Sequence, residues 1–403
     1  MGHGRMVQER AGPIIKRLAL PLIGGRLGTG SYNYLLNLAR AIGTYLPGQL
    51  TAVVFAGADV ADREVAPFQQ LRGVEVVRTN GLDASQSRAR LAQAILLGAD
   101  APAARAFAER AIDVAFEPAM YYGWRFKIPV IAWLPDFQHR HLPELFNKGE
   151  FWRRELGFRA QTGSNRLIML SSEDARRDCE QFYPAAVGRT SVVRFAVYLD
   201  PEVLRTNPQE TATSYGLPGH FFYLPNQFWR HKNHSVVIEA LHLLKRRGYD
   251  LVVATSGKVG DSRHPQYYDS LRSRVENLGL VGQFRFLEMI PREHVIALMR
   301  ACTALINPSL FEGWSTPVEE AKSLGVPMLL SNLRVHREQL GAAGEFFDPH
   351  SPTQLAELML RRQLLPTAAR KTEETAAIGA SGARVEQFCR DFYCAVERAT
   401  TGR

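Results

Sequence analysis

Two glutamates eight positions apart, Glu312 and Glu320, flank Gly313-Trp314-Ser315-Thr316-Pro317 in the stretch from Asn307 to Pro327. An apolar run ending at Asn307 reads as a strand, a Gly-containing loop follows, and Thr316-Pro317 fits an N-cap and first helical position. A helix start offers free backbone N–H groups and the positive end of a dipole, both suited to a diphosphate. Two carboxylates beside a phosphate pocket repel it unless they bind neutral hydroxyls, and a sugar supplies those. Glu320, one turn into the helix, would then accept from a ribose diol, and Glu312 would face the group beyond the phosphates. Spacing alone carries little, since glutamates eight apart also mark an ordinary solvated face.

The full string resembles the hallmark of the retaining glycosyltransferases of the GT-B fold, in particular the large family-4 group. That hallmark is Glu-x7-Glu, with a following Gly-x-Pro that is met here by Gly325-Val326-Pro327. The resemblance implies a nucleoside-diphosphate-sugar donor, with Glu312 on the sugar, Glu320 on the ribose and N–H groups from Gly313 to Thr316, through Trp314 and Ser315, on the phosphates. It implies transfer of a hexose-type sugar to the hydroxyl of a glycan or lipid-linked acceptor, as in polysaccharide or glycolipid assembly. It also implies retention of anomeric configuration, the leaving phosphate deprotonating the acceptor on the same face, and no cofactor or metal. Lys232, in a loop before a helix, matches the lysine that neutralises the diphosphate. The family usually adds an arginine near the preceding strand end, where this chain has Asn226 and Gln227, so Arg230 is the substitute cation; an exposed loop arginine is its other reading. Asn226 stays among the donor contacts. Ser256-Gly257 matches a small-residue strand end beside the donor, and Leu287–Pro291, with Ile290, matches the loop whose backbone faces the nucleobase. Ser331 and Glu338 match a terminal Ser…Glu pattern.

A polar cluster, Asp136, His139 and His141, follows the apolar run Val130–Leu134. Relatives often carry His-Asp where this chain has Pro135-Asp136. The match is to a subgroup with Pro-Asp-x-Gln-His, in which Asp136 orients a sugar or acceptor hydroxyl and His139 binds near the phosphates. A cap or turn is the other reading of Asp136. His139 and His141 lack a third ligand and HExxH is absent, which argues against a metal. Ser171-Ser172-Glu173 reads as a helix cap. The loop Gly24–Gly30 follows the first strand, and Gly25 is a candidate donor contact there. A dinucleotide site would need GxGxxG and an acid about 20 residues on. The spacing is not met, and residues 11–58 contain no Asp or Glu. A plain strand-to-helix turn is the remaining alternative.

These groups need a scaffold, and the chain alternates short apolar runs with segments of helical period, the sign of parallel α/β sheets. Strands are expected at Ile14–Ile23, Thr51–Ala56, Val74–Arg78, Val114–Glu117, Val130–Leu134 and Leu167–Ser171. After a Pro/Gly-rich connection at 196–218 they resume at Phe221–Leu224, Leu251–Ser256, Phe284–Leu287, Ala304–Asn307 and Pro327–Ser331. The expectation is therefore an α/β chain with two doubly wound Rossmann-like domains facing across a cleft: 1–200 on the acceptor side, 201–375 for the nucleotide sugar, and a helix in 376–403 packing back on the first. Ligands in such sheets bind outside the carboxyl ends of the strands.

The bulk numbers narrow the partners. At 403 residues, 46% hydrophobic and 22% charged, the chain is globular and long enough for two domains. Four scattered cysteines and no apolar run of bilayer length lead to the expectation of a cytoplasmic protein without a secretory leader. Residues 1–200 hold 25 Lys+Arg against 19 Asp+Glu, a net +6 of the total +9. That excess fits either peripheral contact with the anionic inner face of a membrane or a solvated arginine-rich surface. Dispersed arginines without a recognition motif argue against nucleic acid. Two rivals share this architecture: a sugar-nucleotide epimerase or phosphorylase, and a non-catalytic nucleotide-sugar-binding module.

Overall fold

The computed structural model describes residues 15–22, 29–365 and 370–402. Among the described residues thirteen strands form two sheets. The first holds β1 (Lys16–Leu22), β2 (Leu50–Ala56), β3 (Val74–Arg78), β4 (Val114–Pro118), β5 (Val130–Trp133), β6 (Leu167–Leu170) and β7 (Thr190–Val192), ordered β3-β2-β1-β4-β5-β6-β7. The second holds β8 (Phe222–Leu224), β9 (Val253–Ser256), β10 (Phe284–Glu288), β11 (Ala304–Asn307), β12 (Met328–Ser331) and β13 (Glu345–Phe347), ordered β10-β9-β8-β11-β12-β13. Five pairings in each sheet are parallel. The central strands are short and apolar because helices cover both faces; β4, β5, β8, β9, β11 and β12 are buried along their whole length.

Every strand expected from sequence is present; Ile14 and Ile23, the ends expected for the first, lie outside the described residues, and the other ends shift by two residues or fewer. The two strands not expected, β7 and β13, are three residues long and close one edge of each sheet. Three residues are too few to show a period.

Both sheets follow the doubly wound order in which the strand sequence reverses, at β1/β4 in the first and at β8/β11 in the second. Asn226 and Asn307, just beyond β8 and at the end of β11, bridge the second switch point through Asn226 Nδ2 to Asn307 Oδ1 at 3.3 Å.

By compactness the chain divides into two units. One gathers the residues up to Trp133 with Ala160–Met169 and the end of the chain from Cys389; the other gathers Leu134–Arg159 and Leu170–Phe388. In the first, the end of the final helix (Arg370–Thr401) packs Phe392 on Phe116 with ring centroids 6.0 Å apart, and Lys16 pairs with Glu397. Residue 200, the expected boundary, lies between β7 and β8 and within the second of these units.

A buried pair fixes the chain after β4. Arg166 donates from Nε to Glu117 Oε1 at 2.8 Å and from Nη2 to Oε2 at 3.0 Å, and reaches Gly123 O at 2.9 Å. Glu117 also accepts from Tyr122 N at 2.8 Å. Removing one partner strands the other charge in the core, so Glu117→Ala is expected to lower unfolding stability by about 3–5 kcal/mol in chemical denaturation. A loss under about 1 kcal/mol, the worth of an exposed pair, would contradict the burial argument.

Candidate functional site

The loop after β11 is tied from beneath by small buried polar groups. Asn307 Nδ2 donates to Ser315 Oγ at 2.7 Å, and Asn307 Oδ1 lies 2.7 Å from Ser309 Oγ. Ser331 Oγ donates to Ser309 O at 2.6 Å. Gln339 clamps Ser315, accepting from its N–H at 3.3 Å and donating to its carbonyl at 3.1 Å. The helix that follows is Thr316–Ser323 with Ser315 as N-cap. The cap is thus one residue earlier than the sequence suggested, and the Ser315 N–H is taken by Gln339 rather than open to a ligand. Among the described residues, the N–H groups of Gly313 and Thr316 have no protein acceptor. Trp314 also turns inward, its indole N–H donating to Phe195 O at 2.9 Å.

Gly313 is glycine for a steric reason. A Cβ there would stand 2.0 Å from Pro135 O and 2.8 Å from Asp136 Cβ. The loop therefore touches the segment after β5 directly. Ser172 Oγ adds a second tie, donating to Gly313 O at 3.2 Å.

Lys232 reaches this loop from the short turn Arg230–Lys232. Its Nζ lies 2.6 Å from Glu312 Oε1, with both side chains largely buried. Asn233 makes the placement possible: it adopts a left-handed conformation (φ 55°) and donates from Nδ2 to Pro308 O at 3.1 Å and Pro349 O at 2.8 Å. The Leu310 N–H to His231 O bond, 2.8 Å, completes the staple. Burial works to raise the Glu312 carboxyl, but the Lys232 ammonium outweighs it and holds the group below its ordinary range. His336 is also buried; its Nδ1 donates to Ser331 O at 2.8 Å, leaving Nε2 without a partner. Burial pushes its pKa down, so Nε2 carries a lone pair at neutral pH.

Glu320 is nearly enclosed and pairs with Arg292, Nη1 to Oε1 at 2.7 Å. Arg292 opens the helix Arg292–Ala301, and its pKa is raised chiefly by the Glu320 charge. Sequence reasoning passed over it, although it directly follows the Ile290-Pro291 loop expected to face a base. Of the strand-end candidates, Ser256 Oγ lies 2.5 Å from the buried Tyr223 hydroxyl. Gly257 abuts Asn226, whose carbonyl would be 2.4 Å from an added Cβ. Asn226 is itself buried and points its amide at Asn307. Ile290 is half-buried. Arg230 is exposed, as its alternative reading held. A better enclosed cation is Arg263, whose guanidinium carbon lies 5.0 Å from the Phe146 ring centroid and 5.8 Å from that of Trp229.

Glu338 serves structure: its carboxylate accepts from Glu173 N at 2.9 Å and from Arg194 Nε at 2.8 Å, capping the helix Glu173–Phe182.

The polar cluster after β5 differs from expectation. Asp136 accepts from Gln138 N at 2.9 Å and pairs with Arg154, the turn role its alternative reading gave it, while lying against the Gly313 loop. Burial opposes its charge, and Arg154 and Gln138 together still hold its pKa down. His139 has no solvent exposure and does not face an open surface. Its Nε2 lies 3.3 Å from Glu155 Oε2, and the rings of Phe151 and Phe158 stand 5.5 and 5.3 Å away. Burial lowers its pKa to about 4. His141 is the more accessible ring, stacked at 5.0 Å on Phe311 and bonded through Nε2 to Asp178 Oδ2 at 2.7 Å. Gly25 lies outside the described residues. Among the described residues no three His, Cys, Asp or Glu side chains gather as metal ligands, and no helix is long and apolar enough to cross a membrane.

Residues 218–377 match the family model described as glycosyl transferases group 1. Over 246 residues the chain is 25% identical to O-antigen chain mannosyltransferase B of Escherichia coli, a match covering 58% of this chain and 62% of that protein. The match thus spans less than two thirds of that relative's length. A glycosyltransferase from Rickettsia africae ESF-5 is similar in structure with a TM-score of 0.70 at 13% identity, over 97% of this chain and 100% of that one. Anabaena HepE in complex with UDP and glucose gives a TM-score of 0.66 at 17% identity, over 95% and 99%. With the two parallel sheets, these likenesses define the fold as GT-B, two Rossmann-like domains.

The steric reading of Gly313 makes a paired prediction. Gly313→Ala is expected to lower the melting temperature, at a cost of about 1–3 kcal/mol for the forced backbone shift. Gly157→Ala, in the helix Lys148–Gly163 with nothing within 4 Å of its added Cβ, is expected to raise it. Equal effects on the two melting curves would show that the loop is not packed as described.

Proposed function

We propose that the chain is a glycosyltransferase that moves a hexose-type sugar from a nucleoside-diphosphate-sugar to an acceptor hydroxyl with retention of configuration, in polysaccharide or glycolipid assembly. The observation that carries this reading is the buried Lys232–Glu312 pair at 2.6 Å, set at the loop that opens a helix N-terminus. A cation and free N–H groups meet the charge that develops on a leaving diphosphate, and a carboxylate beside them accepts from sugar hydroxyls. The match of residues 218–377 to glycosyl transferases group 1 supports the reaction class, and the name of the Escherichia coli relative favours mannose within the hexoses.

In this reading the donor diphosphate takes over Lys232 and the N–H groups of Gly313 and Thr316. Glu312, released from the lysine, accepts from hydroxyls of the transferred sugar. The buried Nε2 of His336 is a further acceptor beside Glu312. Glu320, oriented by Arg292, holds the ribose diol. Departure of the sugar leaves negative charge on the β-phosphate, which takes the acceptor proton on the same face. The residues present need no metal for these steps, because Lys232 and the helix start supply the positive charge. Asp136 positions the Gly313 loop rather than touching substrate.

Steady-state kinetics with UDP- and GDP-hexoses and a glycan or lipid-linked acceptor test the reading. Lys232→Ala is expected to lower kcat by about 10²–10³, the worth of one preorganised group at a developing charge. Glu320→Ala is expected to raise the donor KM by about tenfold with a smaller change in kcat, as loss of a hydrogen bond to a charged group predicts. A Glu320→Ala enzyme with wild-type donor KM would remove the ribose assignment. Epimerisation or phosphorolysis of the donor without an acceptor would replace transfer as the reaction.

A further inference from the structure

One enclosed arginine of the second unit has no part in the donor chemistry described above. The buried arginines of the first unit, Arg90 and Arg166, each meet a carboxylate with Nε and Nη2 at once. Arg263 does not. It gives Asp261 only its Nε, 3.2 Å from Oδ1, and its Nη1 reaches Gln138 Oε1 at 3.4 Å, a long bond. Among the described residues Nη2 has no acceptor, although only 15% of the side chain is exposed. The guanidinium is fixed from behind. Asp261, itself buried, also accepts from the Arg263 N–H at 3.0 Å, and its other oxygen lies 3.4 Å from His264 Nδ1. The rings of Phe146 and Trp229 pack on the guanidinium, leaving its Nη edge for a polar partner. A fork held this way is preorganised for two oxygens of one phosphate or carboxylate.

Gln138 adds an independent sign of a ligand. It is 6% exposed, and among the described residues its Nε2 is buried without a partner. An unmet buried donor costs free energy unless a ligand oxygen satisfies it. Its amide touches the guanidinium, so one oxyanion reaches both groups. His231 joins this place to the Glu312 site. The charges of Lys232, Glu312, Arg263 and Asp136 all act on its ring, and burial lowers its pKa to about 3. The ring is neutral at pH 7 and stands between two separate cations, Lys232 and Arg263. All of these residues belong to the second unit.

We propose that Arg263 and Gln138 bind an anionic group, a phosphate or a carboxylate, carried by the acceptor. The inference rests on the proposed transfer reaction, in which Lys232 and the helix start at Thr316 already meet the donor diphosphate. Arg263 bonds to neither of them. Gln138 and Phe146 come from the segment after β5, just beyond Asp136, the stretch that the sequence sets on the acceptor side. A neutral sugar hydroxyl offers the fork a single oxygen, whereas a phosphate or carboxylate fills both nitrogens and has an oxygen lone pair left for Gln138 Nε2. The substrate class is therefore an acidic acceptor.

Melting curves of the full chain in rising inorganic phosphate, with ionic strength matched by chloride and UDP or GDP saturating, test it. The wild type is expected to melt higher as phosphate rises. Arg263→Gln should need at least about tenfold more phosphate for the same shift, as loss of charge-assisted hydrogen bonds predicts, and Gln138→Leu about threefold more. Gln138→Leu removes an unpartnered donor and one long contact, so without phosphate it should melt at or above the wild-type temperature. That variant decides the matter should Arg263→Gln fail to fold. Neither substitution should change the affinity for UDP or GDP, which Lys232→Ala should weaken. No phosphate response in the wild type, or one that both variants keep, would overturn the proposal. So would a loss of nucleotide affinity in Arg263→Gln as large as in Lys232→Ala, which would give the oxyanion to the donor. A wild type that binds neither nucleotide would count against the transfer reaction instead, and the phosphate titration, run without nucleotide, would still decide whether the subsite exists.

Discussion

The Lys232–Glu312 ion pair is the interaction around which the second unit is arranged. A buried ammonium and carboxylate are tolerated only if each neutralises the other and further hydrogen bonds satisfy what remains. The surrounding residues meet that demand. Asn233 bends the chain through a left-handed turn so that Lys232 reaches the loop, Ser309 bonds Glu312, and Asn307, Ser315, Ser331 and Gln339 hold the loop beneath them. Their common anchor is the switch point of the sheet, between β8 and β11, the place where ligands of doubly wound sheets bind.

In the proposed reading the same pair is stable by itself and yet open to exchange with a donor. In that reading Glu312 holds at Lys232 the place that a donor phosphate takes. Glu320 is likewise paired, with Arg292. Each carboxylate thus sits against a cation, and neither is left as an uncompensated buried charge. In the proposed reading a donor phosphate replaces Glu312 at Lys232 while Arg292 keeps Glu320 oriented, so the site changes partners without having to be built at the moment of binding.

Much of this was legible in the sequence, for local reasons. Glu312, Glu320 and the helix start lie within one strand–loop–helix segment, where order along the chain dictates order in space. Lys232 was legible through its resemblance to a family pattern. What could not be read depends on distant partners. Arg292 meets Glu320 across 28 positions of sequence, and Gln339 reaches back to Ser315. His139 carries the residue type of a catalytic group, yet Phe151, Phe158 and Glu155 from the next helix close over it. Asp136 could be read as orienting a substrate or as holding a turn, and its pairing with Arg154, 18 positions on, is not visible in the sequence. The edge strands β7 and β13 were too short to show a period.

The central claim is that Glu312 and a donor phosphate compete for Lys232. Calorimetric titration of UDP and GDP, without sugar, into wild type and Glu312→Gln tests this most directly. Removing the competing carboxylate should make whichever nucleotide the wild type prefers bind more tightly to Glu312→Gln, by roughly tenfold for an interaction of ~1.4 kcal/mol. Equal or weaker binding of that nucleotide by Glu312→Gln would mean that Lys232 and Glu312 act as a fixed structural pair, and the account of partner exchange would be wrong.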